Sequence, residues 1–244
     1  PESRGASEAS MTGDRLDRFH DRHRSERCVI VANGPSLNAM DLSFLRQETV
    51  IGLNKIYLGL ARFKFYPRYL VVVNEKVIRQ SWGDLVRLNC VKFVSGRATD
   101  ILHEDALTYL IKTRNVDCRF CSDIRQGVRE GGTVTYAALQ IAYFMGFSEV
   151  VIVGMDHRYR FEGRPQEARV LHGPDPNHFS ADYFGNGQHW DNPDLPLSEE
   201  SYALARQFYE RDGRRIIDAT VDGACPVFEK TDYRQVFGLD TGLA

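Results

Sequence analysis

No stretch of apolar residues in this sequence approaches the roughly 18 that a membrane span requires. None follows the charged N-terminal region as a secretory leader would. Basic residues hold no excess either: 31 Lys and Arg stand against 33 Asp and Glu, a formal charge of -2. The electrostatic footprint of a nucleic-acid binder is therefore missing. There are only five cysteines, an odd number and scattered, which suits a reducing compartment better than a disulfide framework. Cys118 and Cys121 form a single CxxC. With no second pair to complete a zinc site, it reads as a strand, Val116 to Phe120, carrying incidental thiols. The GxGxxG and Walker loops are absent, which disfavours an ordinary NAD enzyme or P-loop kinase. What remains is the expectation of a cytoplasmic globular protein. Its 43% hydrophobic and 26% charged residues are ordinary for one. A chain of 244 residues fits one α/β domain.

Residues 1–26 read as a flexible charged tail: first Ser, Gly, Ala and Glu without apolar period, then a dense mixture of both charge signs. A chain that begins with Pro and carries Met11 inside reads as a piece of a longer protein. From residue 27 strands and helices alternate. Arg27 to Ala32, Thr49 to Leu53 and Tyr69 to Val73 are short β-branched runs, each followed by asparagine, and Cys90 to Val94 is a fourth. Continuous apolar runs of this length predict strands buried on both faces of a parallel sheet. Helices are expected over Asp41 to Gln47, Val77 to Leu88 and His103 to Lys112. In the next helix Val134, Ala137, Ala138, Ile141, Ala142 and Met145 make one apolar face, with Thr133 as cap and Gly146 as stop. Glu149 to Val153 is a strand. A long polar segment, about 157–197, reads as a lid, and Ser198 to Arg211 returns to helix with Ser198 capping. Arg215 to Ala219 is a last strand and Thr231 to Phe237 a last short helix, with 238–244 a second tail. The expected architecture is a Rossmann-like, doubly wound, mostly parallel α/β sheet forming one domain over 27–237.

Five constellations carry chemistry. Asn33-Gly34-Pro35-Ser36 directly follows the first strand, where open α/β sheets bind ligands. Its glycine would admit a phosphate and Ser36 could bond an anion, or the four residues are a plain strand-to-helix turn. Asn33, Asn54 and Asn74 end three strands in register and offer donors and acceptors along one sheet edge. Gly131-Gly132-Thr133 opens a helix and can hold a phosphate or sugar. Asp156 with His157 stands just past a central strand, a usual place for a metal ligand or substrate contact. His178 lies in Asn-His-Phe (177–179), with Asp182, Tyr183, His189 and Trp190 nearby. An imidazole there can take a proton from an attacking hydroxyl at neutral pH, with His172 and His189 weaker candidates.

The order of NGPSL, Gly-Leu-Asn (52–54), GGTVTYAALQIAYFMGFSEVVIVGMDH (131–157), NHFSADYF (177–184) and DATVDGACPVF (218–228) resembles the MptE-like superfamily. That group includes archaeal 6-hydroxymethyl-7,8-dihydropterin pyrophosphokinases and domains of flagellin-glycosylation and surface-polysaccharide proteins. The order is also similar to the bacterial sialyltransferases of glycosyltransferase family 42. The resemblance implies that Asn33, Gly34 and Ser36 contact the nucleotide's phosphate and sugar, that Asn54 and Asn74 surround a CMP portion, and that Thr133 touches the nucleotide. His178 would be the general base that deprotonates an acceptor hydroxyl, which then displaces the nucleotide with inversion. The sialyltransferases carry a tyrosine pair that helps the phosphate leave. The first should fall near Arg158, so Arg158 or Tyr159 would substitute. In the pyrophosphokinase branch Asp156 would bind Mg²⁺ for ATP, and a pterin hydroxymethyl group would attack the β-phosphate.

Three expectations follow. The first is a transferase using a nucleotide-activated donor, an inverting glycosyltransferase of a surface glycan with a CMP-linked sugar. The second is a Mg²⁺-dependent pyrophosphokinase acting on a small alcohol. The third is a silent nucleotide-binding domain. The expected partners are a nucleotide or nucleotide-sugar and a glycan or small alcohol. The sialyltransferases often form oligomers, which leaves a homo-oligomer open.

Overall fold

The computed structural model describes residues 15–114, 119–185 and 187–239. Strands β1 (Arg27–Val31), β2 (Val50–Leu53), β3 (Tyr69–Val72), β4 (Val91–Ser95) and β5 (Thr108–Ile111) come first. The two-residue strands β6 (Thr113–Arg114) and β7 (Val128–Arg129) pair apart from them. Then follow β8 (Glu149–Val153), β9 (Ala168–Val170), β10 (His189–Asp191), β11 (Arg215–Asp218) and β12 (Glu229–Lys230). The helices are α1 (Leu60–Phe63), α2 (Glu75–Leu85), α3 (Val134–Phe144), α4 (Leu195–Arg211) and α5 (Tyr233–Val236).

Eight strands form one sheet in the order β12-β11-β8-β1-β2-β3-β4-β5, parallel at every pairing. The apolar runs explain it. Alternate residues of each strand enter two separate cores: Cys28, Ile30, Ile51 and Ile152 on one face, Val29, Val31, Val50 and Val151 on the other. Both faces must be covered, and the crossover helices cover them. α3 and the buried side of α4 (Tyr202, Ala205, Tyr209) cover the first face. α2, through Val77, Ile78 and Leu85, covers the second. From β1 the chain winds outward through β2 to β5. Through β8, β11 and β12 it winds the other way. The topological switch therefore lies between β1 and β8.

Several expectations are corrected. The tail does not extend to residue 26. Leu16, Phe19 and His23 are each 2% exposed and seal the first core, His23 being stacked on Phe147 at 4.5 Å. Two such apolar side chains contribute about 1.5–3 kcal/mol each. The helix expected over 103–112 is instead strand β5, because pairing with β4 and burial of Tyr109 and Ile111 outweigh local propensity. Only 3₁₀ turns occupy Pro35–Ala39 and Ser43–Gln47. The helix at 134–144 is buried on every side and does not present a single apolar face: each residue from Thr135 to Phe144 is buried, since the sheet lies beneath it and α4 above it. α4 begins at Leu195 with Asp194 as its cap. Ser198 donates instead to the Asp194 carbonyl at 2.8 Å. The lid segment carries a small antiparallel hairpin, β9 with β10. Cys118 and most of the strand expected at 116–120 lie outside the described residues. Cys121 is disulfide-bonded, not an incidental thiol, while Cys28, Cys90 and Cys225 are free and buried.

Candidate functional site

A cavity of about 630 Å³ opens at the carboxyl ends of β1, β2, β3 and β8, straddling the switch between β1 and β8. That is where parallel sheets splay their loops and bind ligands. The volume falls in the range of small-ligand pockets. Of the sequence-predicted residues, Asn33, Gly34, Asn54, Asn74, Gly131, Gly132, Thr133, Asp156, Arg158 and His178 line it, while Pro35 and Ser36 do not.

The NGPS loop is held by the loop after β8. The Ser36 amide and hydroxyl donate to the Asp156 carboxylate at 3.0 and 2.6 Å, and the Gly34 amide donates to the Gly154 carbonyl at 2.8 Å. A β-carbon on Gly34 would stand 1.9 Å from Asp156 Oδ2, so the glycine is required by that carboxylate. This geometry gives Gly34 and Ser36 a structural duty and occupies both oxygens of Asp156. Burial raises the Asp156 pKa, and Ser36 moderates the rise. No group of three His, Cys, Asp or Glu side chains is placed to hold a metal among the described residues. These residues do not fit a protein-held Mg²⁺ site: one already-bonded carboxylate would have to rely on donor phosphates for the rest of the shell.

The strand-end asparagines differ in duty. The Asn74 side chain caps α2 by accepting from the Lys76 and Val77 amides. Asn33 donates to the Leu53 carbonyl at 3.0 Å. The Oδ1 atoms of Asn33 and Asn54 are buried without a partner, a state that costs free energy unless a ligand donor meets them.

Opposite the asparagines, α3 points its amino end at the cavity. Gly131 and Gly132 have φ of 56° and 76°, which side-chain-bearing residues rarely adopt. Thr133 caps the helix by accepting from the Thr135 amide at 3.3 Å. The amino end favours an anion. Arg97, Arg129 and Arg158 also line the cavity, Arg97 paired with Glu130 at 2.8 Å.

His178 reaches the cavity from the loop between β9 and β10. Its Nδ1 donates to Asp175 Oδ2 at 2.8 Å, and its ring lies flat on Tyr183 at 3.9 Å. Asp175, 6% exposed, also accepts the amides of Asn177 at 2.8 Å and Phe184 at 3.1 Å. Burial pushes the Asp175 carboxyl up. The bond and charge of His178 together with the two amides outweigh that and leave its pKa below the usual value. That leaves Nε2 as the acceptor on a residue that lines the cavity, an arrangement that suits an oriented general base. Lys55, buried, donates to the Tyr183 carbonyl at 2.6 Å and to Gln188, and burial lowers its pKa to about 8. The Phe179 amide donates to the Asn33 carbonyl at 2.9 Å, so the His178 loop is stitched to the end of β1. His172 is exposed and away from the cavity. His189 lies in β10, where its backbone is held on both sides by the Gln80 amide.

Asp175 escaped the sequence reading, although its spacing of three from His178 was a signal. Tyr202, Arg97 and Arg129, which line the cavity, and Glu199, which bonds His157, left none, since only the fold brings them there.

Among the described residues no helix is long and apolar enough to cross a membrane. No curated protein sequence matches the chain. The fold is similar to that of the MAf glycosyltransferase from Magnetospirillum magneticum AMB-1, with a TM-score of 0.53 at 13% identity over 92% of this chain. This chain spans only 38% of that protein. Residues 7–162 match the family described as 6-hydroxymethylpterin diphosphokinase MptE-like, a match that takes in β1, the strand-end asparagines, the α3 turn and Asp156, and the chain belongs to the MptE-like family.

Proposed function

We propose that this chain is a transferase that passes a glycosyl group from a nucleotide-activated donor to a hydroxyl acceptor with inversion, His178 being the general base. The observation that carries the reading is the Asp175–His178 pair facing a cavity at the switch point. The acceptor hydroxyl gives its proton to His178 Nε2, while Asp175 holds the Nδ1–H tautomer. The acceptor oxygen bonds to the anomeric carbon, and the carbon–oxygen bond to phosphate breaks with its electron pair leaving on the phosphate. The amino end of α3 and Arg158 meet that growing charge. Asn33 and Asn54 offer their unpartnered oxygens to the nucleoside. The family match ends at residue 162, before the base loop, so the base assignment rests on geometry and on the sialyltransferase resemblance.

The family description favours a second reading. In a diphosphokinase the same base would deprotonate a hydroxymethyl group that attacks the β-phosphate of ATP, with Mg²⁺ on the donor phosphates near Asp156.

A thermal-shift screen against CMP, CDP, UDP, GDP, ADP and ATP, each with and without Mg²⁺, separates them. A ligand at a hundredfold excess over Kd adds about 2.7 kcal/mol of stability. Stabilisation by CMP or another glycosyl-carrier nucleotide without metal supports the glycosyltransferase. Stabilisation by ATP only with Mg²⁺ supports the diphosphokinase. A flat screen refutes both and leaves a silent domain. His178→Ala should abolish transfer and keep nucleotide binding.

A further inference from the structure

A second imidazole in the same cavity is paired with a carboxylate. His157 lines the cavity, is 8% exposed, and places Nε2 2.9 Å from Glu199 Oε1. An ionised carboxylate only accepts, so Nε2 carries the hydrogen and Nδ1 is the acceptor. Nδ1 has no hydrogen-bond partner among the described residues. The backbone at His157 is held at φ 54°, a region disfavoured for a residue with a side chain and typical of functional positions. Stability does not explain the pair, because the Glu199 side chain is 40% exposed and a hydrogen bond open to water contributes little.

Its surroundings say what it faces. Glu199 belongs to the same turns of α4 that pack on the glycine turn: a β-carbon on Gly132 would meet Leu197 and Ser198, and one on Gly131 would meet Ser201. The His157 ring lies 6.1 Å from that of Tyr202, whose hydroxyl bonds Thr133 Oγ1 at 3.3 Å. His157 thus stands beside the amino end of α3, where a phosphate is favoured. His178 stands over β1 with the hairpin. Both imidazoles line the one cavity, and a donor phosphate held at the α3 amino end would carry its attached group past His157. Both free nitrogens accept, so each needs an O–H or N–H donor. One serves the attacking acceptor. On the transferase reading the other would meet the transferred sugar, which carries several hydroxyl donors.

We propose that His157, aimed by Glu199, accepts a hydrogen bond from a hydroxyl of the transferred group, so that the site selects a polyhydroxylated, sugar-like donor. The proposal deepens the transferase reading above and rests on it.

The test compares nucleotide-sugars with their parent nucleotides by isothermal titration calorimetry on the full chain, using CMP-sialic acid with CMP, UDP-glucose with UDP, and GDP-mannose with GDP. The wild type is expected to bind one nucleotide-sugar more tightly than its nucleotide. His157→Gln should remove about tenfold of that preference, the worth of one hydrogen bond, and leave the free nucleotide's affinity unchanged. Glu199→Ala, an exposed substitution that stands in should His157→Gln fail to fold, should remove part of it. Equal weakening of nucleotide and nucleotide-sugar, or an unchanged preference in both variants, would overturn the proposal. A wild type that binds no nucleotide would sink the transferase reading itself, before any variant is measured.

Discussion

Gly34→Ala offers a sharp test of how the cavity is built. A β-carbon there would lie 1.9 Å from Asp156 Oδ2, 2.5 Å from its Cγ and 2.7 Å from the Gly154 carbonyl oxygen. Ordinary contact is about 3.5 Å, so the carboxylate must withdraw by about 1.6 Å. That displacement breaks its bonds from the Ser36 amide and hydroxyl, each a bond to a charged group worth about 1.5–3 kcal/mol. Water in the open cavity restores part of this, leaving a cost of about 2–4 kcal/mol. For a chain of this size that lowers Tm by about 5–12 °C in a calorimetric or circular-dichroism melt. The clash names its partner, so a double-mutant cycle sharpens the test. In an Asp156→Ala background the same substitution should cost at least about 1 kcal/mol less, with some cost kept by the Gly154 carbonyl. A Gly34→Ala melt within about 1 °C of wild type, or strict additivity with Asp156→Ala, would refute the clasp.

Asp175→Asn should lower kcat by about a hundredfold or more with little change in KM, since the base loses its oriented tautomer while the pocket stays intact. A proportional rise in KM alone would argue against a base. The Asp175 carboxyl also sets a pH dependence. Its folded pKa is below the ordinary 3.8, so its stabilisation is present above that value and is lost as pH falls through the folded pKa. Urea midpoints measured downward from pH 6 should therefore drop more steeply in the wild type than in Asp175→Ala, and parallel curves would contradict the assignment. Phe19→Ala should destabilise by about 3–5 kcal/mol, the range for emptying a buried aromatic site. A neutral result would return residues 15–26 to the status of a tail.

The sheet was legible because its signal is local. Every residue of VIVA and of the VVIV that follows Glu149 is apolar, which only a strand buried on both faces tolerates, and β8 falls where it was expected. His178, the proposed base, was legible as a histidine in a polar loop, whereas Asp175, three residues before it, is fixed as its partner only once the loop folds back. The reading failed where tertiary contact decides. β5 carries too short a run to outbid a helical pattern until β4 is beside it. Leu16, Phe19 and His23 are spaced among so many charges that their inward side is invisible until Phe147 and Tyr69 lie against it. The NGPS motif misled in an instructive way. Its glycine reads as room for a phosphate, yet the atom that needs the room belongs to the protein, in the loop after β8 and 120 residues beyond Ser36.

That exchange of partners bears on why one family name covers different chemistry. A diphosphokinase and an inverting glycosyltransferase share two requirements: a base for an attacking hydroxyl, and a positive pole for a phosphate that gains charge. On the proposed reading the two are built independently in this chain. The pole is the amino end of α3, fixed by the glycine turn against α4. The base rides on the hairpin loop, fixed by Asp175, by Tyr183 and, through Tyr183, by Lys55. Asp156 ties β1 to β8 at the switch point and so sets the spacing between pole and base without belonging to either. Changing which electrophile sits between them, a β-phosphorus or an anomeric carbon, requires altering only the residues that read the transferred group. The His157–Glu199 pair stands at that position, next to the pole and outside the clasp, where its replacement would leave the rest of the machinery in place.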